Sequence, residues 1–229
     1  MIYCCSDIHG MYDKYIKLLE VIDLKDDDTL FVLGDIVDRG EDSIKIIMDM
    51  MKHPNVICLI GNHDYMAMLN FKFMLSKISE DTVKKTKFEI LTKWFKSGGK
   101  ITFDEFVKLN RQQIKEIMDY MSEFRLYATV NVNNQDYVLV HDGLANFSEK
   151  RELNDYDLYE IIFERTDYHK QYFKDKYLVT GHTPTCLIHQ EENNFKIYKG
   201  NHHIAIDCGA VYGGYLGAIC LNNGKEFYV

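Results

Sequence analysis

The first sixty residues alternate between short apolar runs and helical patterns, and this alternation constrains the possible fold more than any other feature of the chain. Apolar runs occupy residues 2–5, 29–33 and 55–60, and apolar residues at helical spacing occupy 11–22 and 42–52 between them. A β-α-β-α-β order is typical of a mainly parallel sheet covered by helices. The sequence therefore predicts an α/β fold.

Each of these three apolar runs is followed directly by a polar cluster. The clusters read SDIHG after the first run, GDIVDRG after the second and GNHD after the third. In open α/β sheets the carboxyl ends of parallel strands meet at one edge, and that edge is where ligands bind. Read alone, the charges of GDIVDRG fit a structural salt bridge on a turn, since an unpaired charge beside a buried strand is costly. Three clusters at one edge favour a binding site instead.

The middle of the chain, about residues 66–122, has helical periodicity and predicts a helical insertion. Within it, TFDE at 102–105 reads as a capping box with Thr102 as N-cap and Glu105 three residues later. Because the insertion contributes no candidate ligand, we expect it to shape substrate access and not the chemistry.

The second half of the chain is rich in strand patterns, and two of its apolar runs end in histidine, at His141 and His182. Asn222, Asn223 and Gly224 predict a hairpin turn between the last two strands. No linker or repeat interrupts the pattern, so we expect residues 1–229 to form a single domain.

Composition excludes several classes of partner and site. The net charge of −8 argues against a nucleic-acid polymer or an anionic membrane as the main partner. No signal-like start or long apolar segment is visible, so we expect a cytoplasmic protein. The six cysteines form no C-x-x-C pair, and we interpret them as reduced core residues.

The side chains that end the apolar runs form one mixed set of carboxylates, imidazoles, an amide and a guanidinium: Asp7, His9, Asp35, Asp38, Arg39, Asn62, His63, His141 and His182. Mixed oxygen and nitrogen ligands suit Mn²⁺, Fe or Zn²⁺ better than Ca²⁺ or Mg²⁺. The set is too large for one ion. Two ions roughly 3.5–4 Å apart that share a carboxylate would use it, and such pairs stabilise displacement at phosphorus.

The order of the motifs is more specific than any one of them. D-x-H-G, G-D-x-V-D-R-G, G-N-H-D, V-H-x-G and G-H-T follow one another between residue 6 and about 214. In this order the chain resembles the calcineurin-like metallophosphoesterases, within them the phosphoprotein phosphatase branch, and most closely its small lambda-type bacterial and phage members. The resemblance implies a four-layer αββα sandwich of two mixed sheets with a dinuclear metal centre at the sheet edge.

The resemblance also implies a role for each motif residue. One divalent ion would bind Asp7, His9 and Asp35, and the other would bind Asp35, Asn62, His141 and His182. We expect two Mn²⁺ ions, with Fe or Zn²⁺ as alternatives, and direct attack on phosphorus by a hydroxide held between them.

The remaining motif residues would act on the phosphate and the leaving group. Arg39 would hold phosphate oxygens, because a guanidinium matches them with two hydrogen bonds. His63 would act as general acid, with Asp38 orienting its ring. Arg165, from the sequence FERT, would be a second phosphate-binding arginine, or else an ordinary surface residue.

The resemblance implies a metal-dependent phosphatase that acts on phosphoproteins, at serine and threonine and also at tyrosine. One alternative is a diadenosine tetraphosphatase or another nucleotide polyphosphate hydrolase, and a second is a non-catalytic binding scaffold. Asp64 stands where protein phosphatases have Glu and diadenosine tetraphosphatases also have Asp, whereas Asp38 is often replaced in the symmetrical diadenosine tetraphosphatases. Asp142 stands where the family has a small residue, so it would either hydrogen-bond a metal ligand or weaken phosphate binding.

Overall fold

The computed structural model of the chain describes the backbone of residues 1–75 and 81–229 and the side chains of residues 1–75 and 88–229. Within these residues ten strands form two sheets: β1 (Ile2–Cys5), β2 (Thr29–Val32), β3 (Val56–Cys58), β4 (Tyr127–Val132), β5 (Gln135–Val140), β6 (Lys176–Thr180), β7 (Tyr198–Gly200), β8 (His203–Ala205), β9 (Gly217–Cys220) and β10 (Glu226–Tyr228).

Eight α-helices connect or cover these strands in the same part of the chain: α1 (Tyr12–Ile22), α2 (Ser43–Met50), α3 (Asn62–Leu75), α4 (Asp81–Trp94), α5 (Lys100–Phe106), α6 (Arg111–Ser122), α7 (Leu158–Ile162) and α8 (Thr185–His189). A π-helical segment, Phe95–Gly99, joins α4 to α5. None of the described helices is both long and apolar enough to cross a membrane.

Both sheets are mixed. The first has the order β10-β9-β1-β2-β3, in which β1, β2 and β3 are parallel and β9 and β10 are antiparallel to their neighbours. The second has the order β4-β5-β6-β8-β7, with β5, β6 and β8 parallel. The predicted β-α-β-α-β start and the final hairpin are both confirmed.

The alternation of side chains along each strand separates two buried layers. On β1, Cys4 belongs to an inter-sheet cluster that also contains Leu139 of β5 and Val179 of β6. The neighbouring Tyr3 and Cys5 belong instead to the larger cluster that includes the helices. Because successive strand residues point to opposite faces, each sheet has one face toward the other sheet and one toward helices. This is the predicted αββα sandwich.

The six cysteines form no disulfide: Cys186 is partly buried, and Cys4, Cys5, Cys58, Cys208 and Cys220 are buried. This agrees with their interpretation as reduced residues, five of them in the core.

The described part of the helical region, α3 to α6, packs against the first sheet, and residues 76–80 of the predicted insertion lie outside the described residues. The capping-box prediction within it is wrong. Thr102 lies inside α5, since the π-helical segment continues directly into that helix. Glu105 instead accepts hydrogen bonds from the backbone N–H groups of Ser43 (3.0 Å) and Ile44 (2.9 Å), so it caps the neighbouring helix α2.

Candidate metal centre at the sheet edge

The loops that follow β1 and β2 continue the pairing of their strands. The N–H of Asp7 donates to the carbonyl of Gly34 at 3.0 Å, and the N–H of His9 donates to that of Asp35 at 2.9 Å. These bonds bring the first two polar clusters together at the carboxyl edge of the sheet. The third cluster joins them because the N–H of His63 donates to Asp35 Oδ1 at 2.9 Å.

Six of the predicted site residues have left-handed backbone conformations. Their φ angles lie between 46° and 74°, in a region that non-glycine residues seldom adopt: Asp7, His9, Asp35, Asp38, Arg39 and His182. Such conformations cost about 1–3 kcal/mol each and cluster at functional sites. The bends turn these side chains out of the strand alternation and toward one point.

Two groups of potential metal ligands meet at this edge, and both contain Asp35. His9, Asp35 and His63 form the first, and Asp35, His141 and His182 form the second, with ligand atoms within 4.8 Å of one another in each group.

The other two predicted ligands lie beside these groups. Asn62 Oδ1 is 3.0 Å from His141 Nε2 and 3.1 Å from His182 Nδ1. Asp7 Oδ1 is 4.0 Å from His9 Nε2. The structure therefore brings all six predicted ligands together.

Hydrogen bonds fix which ring nitrogen of each histidine faces the centre. The Nδ1–H of His9 donates to the carbonyl of Val37 at 2.8 Å, and that of His141 donates to the carbonyl of Leu33 at 2.7 Å. Both rings then present the lone pair of Nε2, which is how an imidazole binds a metal when its other nitrogen has an oxygen partner.

His182 has the opposite orientation. Its Nδ1 faces Asn62 and His141, and its Nε2 lies 3.4 Å from Asp142 Oδ2. Asp142 is fully buried, its carboxylate has no hydrogen-bond partner among the described residues, and burial raises its pKa to about 7. Of the two roles expected for Asp142, the geometry supports an interaction with the predicted ligand His182.

The electrostatics of the edge suit a cation. Burial, together with the charges of Asp7 and Asp64, raises the pKa of Asp35 well above its ordinary value, although His63 opposes the shift. Burial also lowers the pKa of His9, with Arg39 adding to the effect, and lowers that of His182 to about 3. Buried carboxylates and neutral imidazoles with converging lone pairs are a donor set that a divalent cation would stabilise.

His63 and Asp38 form a buried pair beside these ligands. His63 Nδ1 lies 2.7 Å from Asp38 Oδ2, and Arg39 Nη2 lies 2.9 Å from His63 Nε2. Burial lowers the pKa of His63, but the charge of Asp35 and the hydrogen bond to Asp38 outweigh burial and raise it overall. His63 Nε2 accepts an N–H of Arg39 in this structure, and the raised pKa gives this nitrogen the basicity to carry a proton.

A cavity of about 340 Å³ opens from the centre. Asp35, Arg39, His182 and the exposed Arg165 line it, and this position of Arg165 is consistent with its predicted place near the site. The remaining wall consists of less polar side chains, namely Pro184, Cys186, Leu187, Phe195 and Tyr212.

Sequence reasoning did not assign a role to Asp64, although it belongs to the GNHD motif. Asp64 is fully buried and accepts hydrogen bonds from the backbone N–H groups of Asp35 (2.8 Å), Ile36 (3.0 Å) and Gly61 (3.0 Å). Asp64 thus holds the loop after β2 against the loop after β3. Gly61 is required there, since a Cβ on it would lie 2.2 Å from Asp35 Oδ1.

Comparison with known sequences gives a family and several partial matches. The profile of the calcineurin-like phosphoesterase family matches residues 1–214. A zinc-dependent endopolyphosphatase of Saccharomyces cerevisiae is 32% identical over 69 residues, 29% of this chain and 21% of that protein. A symmetrical bis(5'-nucleosyl)-tetraphosphatase of Delftia acidovorans is 40% identical over 65 residues, 28% of this chain and 23% of that protein. Another, of Wigglesworthia glossinidia brevipalpis, is 26% identical over 114 residues, 47% of this chain and 42% of that protein. The matches therefore span less than half the length of these relatives.

Solved structures resemble the chain over its whole length. A protein assigned as a diadenosine tetraphosphatase has a TM-score of 0.67 at 18% identity, covering 100% of this chain and 92% of that chain. A protein serine/threonine phosphatase of Saccharomyces cerevisiae has a TM-score of 0.55 at 13% identity, covering 100% and 78%. At these identities the likeness establishes the fold alone, and it confirms the predicted sandwich of two mixed sheets.

Proposed function

This chain belongs to the calcineurin-like phosphoesterase family, and from that premise we propose that it is a metal-dependent hydrolase of phosphoric esters whose substrates are nucleotide polyphosphates. This substrate class was the alternative in the sequence analysis. It replaces the phosphoprotein as first choice because of the cavity beside the metal centre and because the partial sequence matches include symmetrical tetraphosphatases.

The observation that carries the proposal is that the cavity is lined by both cationic and apolar side chains. Arg39 and Arg165 line it and can bind phosphate oxygens, while Leu187, Phe195 and Tyr212 line the same cavity. The ring of Tyr212 lies directly beside the guanidinium of Arg39, with Cζ 5.4 Å from the ring centroid. Tyr212 and Leu187 are 54% and 59% exposed, so they offer open apolar surface next to a strongly polar one. A base can stack on an aromatic side chain for about 1–3 kcal/mol. A volume of about 340 Å³ lies in the range of small-molecule sites.

The metal centre would be held by the six residues described above, with Asp35 shared between two ions. We propose Mn²⁺ first, with Fe or Zn²⁺ as alternatives, because the ligands mix oxygen and nitrogen. When bound, two such ions lower the pKa of water and neutralise charge that develops on the phosphate.

The chain's own side chains would supply the remaining steps. Arg39 and Arg165 would bind and orient the phosphate, which favours in-line displacement. His63, protonated on Nε2, would give that proton to the leaving oxygen. Asp38 would hold the Nδ1–H of His63 and stabilise the imidazolium before transfer.

A phosphoprotein substrate is the second candidate, and one residue favours it. Asp38 is present and pairs with His63 at 2.7 Å, whereas symmetrical diadenosine tetraphosphatases tend to replace it. The His63–Asp38 pair is suited to a poor leaving group such as the alkoxide of serine or threonine.

The test is a substrate panel with the Mn²⁺-loaded protein. We expect kcat/KM for diadenosine tetraphosphate to exceed that for phosphoserine, phosphothreonine and phosphotyrosine peptides by at least about tenfold, which corresponds to one good stacking contact. Tyr212→Ala should raise KM for the dinucleotide and leave p-nitrophenyl phosphate little changed. Tyr159→Ala is the matched control, since Tyr159 is 56% exposed and does not line the cavity. A preference for phosphopeptides, unaffected by Tyr212→Ala, would contradict the proposal.

A further inference from the structure

The helical region contributes one hydrogen bond to the His63–Asp38 pair. The indole N–H of Trp94, the last residue of α4, donates to Asp38 Oδ2 at 2.7 Å. The same oxygen lies 2.7 Å from His63 Nδ1. Trp94 and Asp38 are both fully buried, so water does not compete for this bond.

Packing alone does not explain this contact. Trp94 lies edge-to-face with Phe71 at a centroid distance of 5.7 Å, and a buried indole needs some acceptor for its N–H. Its acceptor here is the carboxylate oxygen that holds the predicted general acid. In the described part of the chain Asp38 Oδ1 has no hydrogen-bond partner, so the orientation of the carboxylate depends on the bonds of Oδ2 with Trp94 and His63.

Two glycines next to Trp94 allow its indole to approach Asp38 closely. Gly98 has φ +106°, and its carbonyl accepts a hydrogen bond from the N–H of Arg39 at 3.2 Å. A Cβ on Gly99 would lie 2.1 Å from Trp94 Nε1, so only glycine leaves room for the indole. The hydroxyl of Thr102 in α5 accepts from the N–H of Asp38 at 3.0 Å.

We propose that Trp94 is a positioning residue for the acid step. Its indole N–H fixes the Asp38 carboxylate, and the carboxylate in turn fixes the ring of His63 toward the leaving oxygen. The inference rests on the proposed function only in taking His63 as the proton donor, and it does not depend on which phosphate ester is the substrate. The helical region then contributes to the chemistry, beyond the role in substrate access expected from the sequence.

The contact itself can be measured without turnover, because Trp94 is the single tryptophan of the chain. Asp38→Asn replaces the anion beside the indole by a neutral amide, so the emission maximum or quantum yield of Trp94 should change. Asp142→Asn, a neutralisation of another fully buried carboxylate, should leave the emission unchanged. Identical spectra for wild type and Asp38→Asn would overturn the proposal.

The role is tested with Trp94→Phe, which keeps an aromatic ring and removes the N–H. Proton donation is worth about 10²- to 10⁴-fold, and weaker orientation should lose part of it, about tenfold on an alkyl phosphate. Loss on p-nitrophenyl phosphate should stay below about twofold, since nitrophenolate leaves without a proton. Phe95→Leu is the packing control, because Phe95 contacts Trp94 at a centroid distance of 5.9 Å, and it should affect both substrates equally.

Equal losses on both phosphates in Trp94→Phe, or no loss on either, would overturn the positioning role while leaving the proposed function intact. Failure of the proposed function would instead appear in the wild type, as absence of the dinucleotide preference in the substrate panel.

Discussion

Asp35 illustrates how single residues at this edge serve several functions at once. Its carboxylate belongs to both groups of potential ligands, and its Oδ1 accepts the N–H of His63. Its backbone N–H donates to Asp64 and its φ is 54°. A left-handed aspartate that is buried and close to other carboxylates is unfavourable by itself. A bound cation would offset this cost, so we interpret the arrangement as a cation site.

His63 lies close to candidate metal ligands, and its role as general acid gives a specific prediction. His63→Asn should leave the metal content unchanged and reduce turnover of alkyl phosphates by about 10²- to 10⁴-fold, the usual contribution of proton donation. Turnover of p-nitrophenyl phosphate should fall far less, because that leaving group departs unprotonated. Steady-state kinetics on both esters measures the difference.

His53→Asn serves as the control, since the side chain of His53 is 41% exposed, pairs with Asp49 at 3.6 Å and belongs to neither group of potential metal ligands. If His63→Asn lost a metal ion, or lost activity equally on both esters, His63 would be a ligand and not the acid.

The residues of the candidate site were largely predictable from the sequence, but the residues that position them were not. Asp7, Asp35 and His141 follow apolar runs, and the carboxyl edge of a parallel sheet brings such residues together. Trp94 could not be found in this way, because it lies in a helical pattern where an aromatic residue reads as core. Its contact with Asp38 depends on how α4 packs in three dimensions, which periodicity does not report.

At the scale of elements, a helix cap joins α2 to α5, whereas the sequence predicted a cap within a single helix. The spacing of Thr102 and Glu105 fits a capping box within one helix, but Glu105 caps the N-terminus of α2. A carboxylate there accepts the free N–H groups of the first turn and interacts favourably with the helix dipole. The first turn of α2 follows the loop that carries Asp38 and Arg39, so this cap also restrains the site.

Glu105→Ala should therefore lower the free energy of unfolding by about 1 kcal/mol, in the range measured for lost helix caps. Urea titration followed by circular dichroism would measure it. Glu116→Ala on the exposed face of α6 is the matched control and should change stability by less than about 0.5 kcal/mol. Equal effects of the two substitutions would mean that Glu105 does not stabilise α2.

At the scale of the whole molecule, the parallel and antiparallel parts of the first sheet differ in how far the sequence predicts them. The parallel strands β1, β2 and β3 follow from the first sixty residues, since short connections and helical patterns leave little choice of neighbours. The position of β9 beside β1 joins residues about 215 positions apart, as in the pairing of Tyr3 with Cys220. No local pattern specifies that pairing, and only the family resemblance implied that the sheets are mixed.

This architecture gathers ligands from both sheets at one edge. Asp7, Asp35 and Asn62 follow strands of the first sheet, while His141 and His182 follow β5 and β6 of the second. Since neither sheet alone contains all the ligands, bound metal ions should link the two halves of the sandwich and stabilise the folded chain.

The metal-to-protein ratio tests the central claim most directly, because the claim is that two ions share Asp35. Elemental analysis after saturation with Mn²⁺ and removal of excess metal should give two ions per wild-type chain. Asp35→Asn removes the shared charge and should retain fewer than one ion per chain, whereas Asp136→Asn, a change at an exposed position, should retain two. A wild-type ratio of one or less, or two ions retained by Asp35→Asn, would contradict a dinuclear centre at this edge.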